Sequence, residues 1–118
     1  MFGTILEEAV LGVKGAKAAI LMGFDGIAVD TYQAKNSNED IETIGMEFSV
    51  LLREVKKAAE ALETGPTTEM TVQTETMTTI LRIVNEDYFL AIAVVDGGNT
   101  GKARYMLRMA VPKFLDVL

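Results

Sequence analysis

The sequence predicts an α/β sandwich, in which a five-stranded, mainly antiparallel sheet lies between helices. Three observations predict this class: apolar residues recur at helical spacing in three places, β-branched runs with turn signals lie between these places, and the apolar run 88–95 shows no alternation. A strand of that last kind is covered on both faces. We therefore expect the long middle helix on one face of the sheet and the two terminal helices on the other.

The first quarter of the chain predicts a helix followed by a β-hairpin. Apolar residues between positions 2 and 13 follow helical spacing. Two strand-like runs, 18–22 and 27–32, flank Asp25 and Gly26. This dipeptide is typical of a type I′ turn, because both central residues of such a turn need positive φ.

The middle helix is expected to begin at residues 37–40, which offer a capping side chain and acidic groups, and to end at residues 64–66. Met46 and Val50, one turn apart, interrupt its charged face. They are either scattered surface residues or a site for a partner. The predicted buried stripe consists of Ile41, Ile44, Phe48, Leu51, Leu52, Val55, Ala58, Ala59 and Leu62.

The second half of the chain predicts three strands and a closing helix. The threonine-rich residues 67–79 predict a hairpin of exposed strands, the second of which continues to residue 84 and leads through a turn to the apolar run. The closing helix starts near residues 99–101. Because Pro112 lies inside it, we expect a kink or break between residues 107 and 111.

Length and composition favour one compact domain, residues 1–118. The chain is 49% apolar and 24% charged, which is typical of a globular protein. No cysteine is present, as suits a reducing compartment. No signal peptide is visible, and no apolar run approaches the roughly 20 residues of a membrane helix. We expect a cytoplasmic protein that does not insert into membranes.

The same composition disfavours nucleic-acid binding and catalysis. A net charge of −6 repels phosphate backbones. The absence of histidine and cysteine removes the usual neutral-pH acid/base, the thiol nucleophile and the preferred zinc ligands. We therefore expect no catalytic residue, no cofactor and no metal.

Residues 96–103 resemble a phosphate-binding loop in context but not in composition. The segment follows a strand and opens a helix, as a Gly-x4-Gly-Lys-Ser/Thr loop does. However, Asp96 replaces the first glycine and would repel phosphate, and Ala103 lacks the hydroxyl that binds magnesium. We interpret the segment as a tight turn and helix cap.

Clusters of charge are interpreted mainly as solvated surface. The closing helix is locally basic, which either steers an acidic partner or balances the acidic middle helix, and the second interpretation is favoured. Its bases are Lys102, Arg104, Arg108 and Lys113. The acidic groups are Glu7 with Glu8, Glu39 with Asp40 and Glu42, and Glu86 with Asp87.

Four stretches in this order, covering essentially the whole chain, resemble the roadblock family, relatives of a dynein light chain. They are residues 15–21 leading into Asp25 and Gly26, the long middle helix, the apolar run 88–95, and residues 98–105. The resemblance implies a profilin-like or longin-like fold, homodimers or heterodimers, and roles as regulators or scaffolds of Ras-like GTPases and motor complexes. The chain looks most similar to the bacterial stand-alone branch that partners polarity or gliding GTPases.

Three hypotheses about function follow. The first is a non-catalytic homodimer that binds a small Ras-like GTPase and stimulates its GTP hydrolysis by ordering the GTPase's own residues, with Arg53, Arg104 and Arg108 as candidate arginine donors. The second is a structural adaptor without nucleotide-state preference, and the third is a sensor with a ligand cavity. The expected dimer interface comprises Met46, Val50, Thr68, Met70 and Val72, and the expected partner-binding residues are Glu47, Arg53, Glu54 and Lys57.

Overall fold

A computed structural model describes residues 2–118, and this part of the chain contains three helices and five antiparallel strands. None of these helices is both long enough and apolar enough to cross a lipid bilayer. The elements in chain order are α1 (Phe2–Leu11), β1 (Ala16–Gly23), β2 (Ala28–Gln33), α2 (Ile41–Ala61), β3 (Glu69–Gln73), β4 (Met77–Ile83), β5 (Tyr88–Val95) and α3 (Thr100–Leu115).

The sheet has the strand order β2-β1-β5-β4-β3, so the last strand of the chain lies at its centre. Ile92 of β5 pairs with Ala19 of β1 on one side and with Ile80 of β4 on the other. Every neighbouring pair is antiparallel. The apolar run is therefore the central strand, as its lack of alternation predicts.

Two apolar layers cover the two faces of the sheet. On one face α1 and α3 bury Leu6, Leu107 and Phe114 against side chains such as Leu21. On the other face α2 buries Ile41 and Leu52 against residues that include Ile20 and Phe89. The predicted sandwich, with the long helix on one face and the terminal helices on the other, is confirmed.

The predicted buried stripe of α2 is too wide. Leu51, Val55 and Leu62 are 49%, 38% and 72% exposed, whereas Gly45 and Ser49 are buried in their place. Successive helical residues are about 100° apart, so nine stripe positions cannot all face one flat sheet. Gly45 lets the helix lie close to β1, since a Cβ there would be 3.2 Å from the sulfur of Met22.

The turn between β1 and β2 is not the type I′ turn that the sequence predicts. Of its residues only Gly26 has positive φ, at 87°, and the Gly26 N–H donates to the Gly23 carbonyl at 2.9 Å. Asp25 keeps negative φ and accepts the Ile27 N–H at 3.0 Å through its side chain. A three-residue connection that ends in a left-handed glycine closes the hairpin instead.

Two predictions about the second half of the chain need correction. The strand β4 is not exposed, because it lies between β5 and β3 and buries Thr78 and Thr79 to 6% and 3% exposure. Of the kink or break expected around Pro112, the break is absent, since α3 continues through Pro112 to Leu115. Pro112 cannot donate a backbone hydrogen bond within the helix, but it lies near the end of α3, so few helical residues follow the missing bond.

The position of α2 predicts very different roles for two neighbouring apolar residues. Replacing Leu52, which is fully buried, with alanine is expected to lower the free energy of unfolding by about 2–5 kcal/mol, because a cavity remains under the helix. Val50→Ala, at a half-exposed position, is expected to change it by no more than about 0.5 kcal/mol. Urea unfolding followed by circular dichroism measures both values, and equal values would contradict this orientation of α2.

Candidate protein-binding surfaces

The predicted partner-binding residues and two of the predicted dimer residues share one side of α2. Their spacing of three or four positions places them on a continuous strip of the helix that points away from the sheet. Met46 and Val50 are each 51% exposed and lie in the middle of this strip. We call the strip the outer face of α2; it consists of Met46, Glu47, Val50, Arg53, Glu54 and Lys57.

Three of the four charged residues on the outer face have partners within the chain. Nη1 of Arg53 donates to the carbonyl of Phe24, in the turn between β1 and β2, at 2.7 Å. Nζ of Lys57 lies 3.4 Å from a carboxylate oxygen of Glu54, an exposed pair that contributes little to stability. Arg53 is thus held toward the β1–β2 side of the molecule.

A second group of exposed apolar residues lies on a different side of α2. At about 100° per residue, Leu51, Val55 and Leu62 lie roughly opposite Arg53 around the helix axis. Since Arg53 reaches the β1–β2 turn, these three residues face the other half of the sheet, where β4 and β3 lie. Their exposure was not expected, although a spacing of alternating four and three residues from Ile44 onward is visible in the sequence.

The strand β3 forms an edge of the sheet, and its α2-side residues lie on the same face of the sheet as α2. Met70 and Val72 pair with Leu81 and Thr79 of β4 and are half-buried. Thr68, just before the strand, is exposed on the same face. We call the combined surface the α2–β3 surface; it consists of Leu51, Val55, Leu62, Thr68, Met70 and Val72.

The predicted dimer residues are therefore divided between two surfaces. Thr68, Met70 and Val72 belong to the α2–β3 surface, whereas Met46 and Val50 lie on the outer face of the helix. A single flat partner does not cover both surfaces fully, because they lie on different sides of α2. The sequence pattern identified the outer face of the middle helix as exposed, but it wrongly placed Leu51, Val55 and Leu62 in the buried stripe.

A cavity of about 650 Å³ is lined by the C-terminal half of α2, the segment that follows it and the turn between β4 and β5. Its walls include Ala59, Pro66 and Ile83. The Oγ1 atom of Thr67 is buried there without a hydrogen-bond partner among the described residues. The other polar residues of the lining, Lys56, Glu60, Glu63, Asn85 and Glu86, are all at least partly exposed. One buried hydroxyl therefore gives little support to the sensor hypothesis, since ligand sites bring several polar groups together.

The loop before α3 caps the helix, as its composition predicts. The side chain of Asn99 accepts the Lys102 N–H at 3.0 Å. Gly97 has a φ of 85°, and a Cβ on Gly98 would be 2.7 Å from the Lys14 carbonyl. These glycines are required by the turn and by its close contact with the segment before β1.

The acidic group before α2 serves the helix. Asp40 caps α2 by accepting the Thr43 N–H at 3.2 Å and the Thr43 hydroxyl at 2.7 Å, and these bonds lower the pKa of the Asp40 carboxyl. The Ser37 hydroxyl donates to Glu39 at 2.6 Å and lowers the pKa of that carboxyl. Within residues 2–118 no group of three or more acidic side chains is arranged to hold a metal ion.

The two other candidate arginine donors lie on α3, across the sheet from α2. Nη2 of Arg104 is 2.8 Å from a carboxylate oxygen of Glu69, and the hydrogen bond with Glu69 raises the pKa of the Arg104 guanidinium. The guanidinium of Arg108 lies 5.7 Å from the ring centre of Tyr105. No surface of the described residues therefore unites all three arginines.

This architecture defines an α+β protein of the roadblock/longin type, with a five-stranded antiparallel sheet between one helix and two. A family model described as the Roadblock/LC7 domain matches residues 3–94, and the chain belongs to this family. The family that the sequence motifs indicate is confirmed.

Solved structures of related proteins agree with this assignment. MglC from Myxococcus xanthus is 43% identical, with a TM-score of 0.72, over 99% of this chain and 98% of that chain. A Roadblock/LC7 domain from Streptomyces avermitilis is 14% identical, with a TM-score of 0.83, over 94% of this chain and 92% of that chain. The gliding protein MglB from Thermus thermophilus is 19% identical, with a TM-score of 0.81, over 92% of this chain and 81% of that chain. A search of curated proteins finds no match.

The cap of α2 predicts a dependence of stability on pH. The pKa of the Asp40 carboxyl is lower in the folded chain than in the unfolded chain. The stability that the ionised carboxylate contributes is therefore fully present above the unfolded-state pKa and is lost as the pH falls through the folded-state pKa. We expect Asp40→Asn to lower Tm at neutral pH and to lower it less at strongly acidic pH. Asp116→Asn, at an exposed position after α3, is the control for charge. An Asp40→Asn effect that is independent of pH would contradict this role.

Proposed function

We propose that the protein is a non-catalytic homodimeric regulator that binds a small Ras-like GTPase. Membership in the Roadblock/LC7 family supports this proposal, as does 43% identity to MglC over nearly the whole length of both chains. Regulators of this family are generally non-catalytic. The observation that carries the dimer is the α2–β3 surface, where an unpaired strand edge and exposed apolar side chains of a helix lie on one side of the sheet.

The edge formed by β3 is suited to pairing with a second copy. Its register with β4 is regular from Glu69 opposite Arg82 to Gln73 opposite Thr78, so its free N–H and C=O groups form an ordered row. The other edge strand, β2, has an irregular register with β1 between Leu21 and Met22. Bulged edges resist pairing, which makes β3 the favoured edge.

A twofold axis beside β3 joins two sheets and brings two copies of α2 together. In such an interface the same surface is used by both subunits. The half-buried and exposed apolar residues on this side of α2 are spaced four and three positions apart, as in helices that pack against each other. These residues are Ile44, Phe48, Leu51, Val55, Ala58 and Leu62.

The outer face of α2 remains accessible in this dimer and is the proposed surface for the GTPase. Met46 and Val50 supply apolar contacts at its centre, and Glu47, Glu54 and Lys57 supply charge around them. Half-exposed apolar residues surrounded by polar ones are typical of docking sites. Since the dimer places two outer faces side by side, one GTPase contacts both subunits.

The arrangement of Arg53 favours regulation without a donated arginine. Its guanidinium is engaged with the Phe24 carbonyl, so reaching a GTPase active site requires this hydrogen bond to break. A regulator that orders switch loops and the attacking water needs no such donor. We therefore propose that any stimulation of hydrolysis acts through residues of the GTPase itself.

The α2–β3 surface also supports a second candidate function, a structural adaptor that does not distinguish the GTP-bound from the GDP-bound GTPase. An adaptor uses the same dimer and the same outer face. The two functions differ in whether the protein binds the GTP-bound GTPase more tightly than the GDP-bound form. A protein that binds both forms with equal affinity does not change the balance between them.

The proposed dimer is tested by two double variants of α2. Leu51→Asp with Val55→Asp is expected to produce monomers, because two carboxylates replace apolar contacts at the helix–helix contact. Met46→Asp with Val50→Asp is expected to weaken the dimer less, because these residues lie on the outer face. Light scattering across a range of concentrations measures both, and circular dichroism confirms that each variant is folded. If both variants remain fully dimeric, α2 is not in the interface.

Preference for the nucleotide state is tested by calorimetry against Ras-like GTPases from the same organism, loaded with GDP or with a slowly hydrolysed GTP analogue. We expect tighter binding of the GTP form and weaker binding by Lys57→Glu, which reverses a charge on the outer face. Lys113→Glu, on α3, makes the same charge change on the other side of the sheet and is expected to bind as the unmodified protein does. Equal affinity for both nucleotide states favours the adaptor, and absence of binding to every GTPase rejects the proposal.

A further inference from the structure

A cleft on the opposite side of the molecule from α2 is not used by the proposed function. It lies between α3 and the strands β3 and β4 and has a volume of about 180 Å³. It lies on the α3 side of the sheet. Its lining residues are Glu69, Arg82, Gly101, Arg104, Tyr105 and Arg108.

The cleft is positively charged although the protein as a whole is acidic. Three guanidinium groups, those of Arg82, Arg104 and Arg108, meet a single carboxylate, that of Glu69, which leaves an excess of two positive charges. The net charge of the chain is −6. At short range, where screening by salt is weakest, this local positive charge attracts a negatively charged group of a partner although the whole protein is negative.

The contacts of Glu69 show how arginines of the cleft hold a carboxylate of the chain itself. Nε of Arg104 donates to one carboxylate oxygen of Glu69 at 2.9 Å, and Nη2 lies 2.8 Å from the same oxygen. Nη1 of Arg82 is 3.8 Å from the other oxygen. One internal carboxylate thus occupies Arg104 and lies at longer range from Arg82.

Arg108 is the guanidinium that Glu69 does not use. It follows Arg104 by one helical turn and therefore lies on the same flank of α3. Among residues 2–118 no carboxylate lies within 4 Å of Arg108. Its guanidinium lies near the ring of Tyr105, which is 49% exposed, so a cationic group and an apolar surface are adjacent.

We propose that this cleft binds an acidic peptide segment of a protein partner, through a carboxylate that pairs with Arg108 and Arg82 and an adjacent side chain that packs on Tyr105. Guanidinium groups bind planar carboxylates through paired hydrogen bonds, and the ion pair between Arg104 and Glu69 shows that a carboxylate fits beside α3. Long polyanions and anionic membranes place many negative charges near the acidic remainder of the protein, which disfavours them.

The cleft and the outer face of α2 lie on opposite faces of the sheet, so peptide binding at the cleft and GTPase binding at the outer face do not depend on each other. A variant of Arg108 leaves the GTPase surface intact, and a variant of Lys57 leaves the cleft intact. Failure of one proposal is therefore distinguishable from failure of the other.

The test is a titration of the isotopically labelled full chain with an end-blocked hexaglutamate peptide, followed by NMR at low salt. We expect shifts confined to β3, β4 and α3, and no comparable shifts with hexaglutamine. Arg108→Gln is expected to weaken binding about fivefold, the effect of losing one exposed ion pair. Lys102→Gln, which removes the same charge from the same helix outside the cleft, is expected to leave affinity unchanged.

A fourth variant gives an effect of the opposite sign. Glu69→Gln removes the internal carboxylate while keeping its shape, and we expect it to bind hexaglutamate more tightly because Arg104 becomes available. A merely structural role for Glu69 predicts no such gain. Equal affinities of Arg108→Gln and Lys102→Gln, shifts outside the cleft, or binding only to phosphatidylserine vesicles and not to the peptide would each overturn the proposal.

Discussion

The double-sided burial of β5 is the constraint on which the rest of the fold depends. Residues from Phe89 to Val94 are completely buried, so each face of this strand needs a layer of apolar side chains. The terminal helices supply one layer and α2 supplies the other. Because β5 also pairs with a strand on each side, its backbone groups are satisfied within the sheet. The free edges of the sheet are then β2 and β3.

Much of this arrangement could be predicted from the sequence, because it follows from periodicity. The unbroken apolar run of β5 identified the centre of the sheet, and the spacing of apolar residues identified all three helices. Errors arose where tertiary contacts decide between local alternatives. Asp25 and Gly26 suit a type I′ turn, yet the three-residue connection from Phe24 to Gly26 satisfies the Ile27 N–H through the Asp25 side chain instead.

The candidate surfaces were predictable in kind but not in position. The sequence shows which residues of the middle helix are apolar, but it does not show how closely the helix lies to the sheet. That distance is set by Gly45, which has no side chain to separate α2 from Met22. With this contact fixed, Leu51 lies on a flank of the helix and Met46 on its outer face. Likewise, Glu69 and Arg104 are far apart in sequence, and only the packing of α3 beside β3 brings them together.

The central position of β5 has a consequence for how the chain folds during synthesis. Ile20 of β1 pairs with Ala91 of β5, so this strand pairing closes a long loop and forms late. Until β5 leaves the ribosome, the β1–β2 hairpin has an apolar edge without a partner strand. The β3–β4 hairpin is then not hydrogen-bonded to it through the sheet, because β5 lies between β1 and β4. Partly made chains with such edges are the species that chaperones bind and that aggregate. The strand that completes the sheet therefore also ends the period in which the nascent chain is most exposed to misassembly.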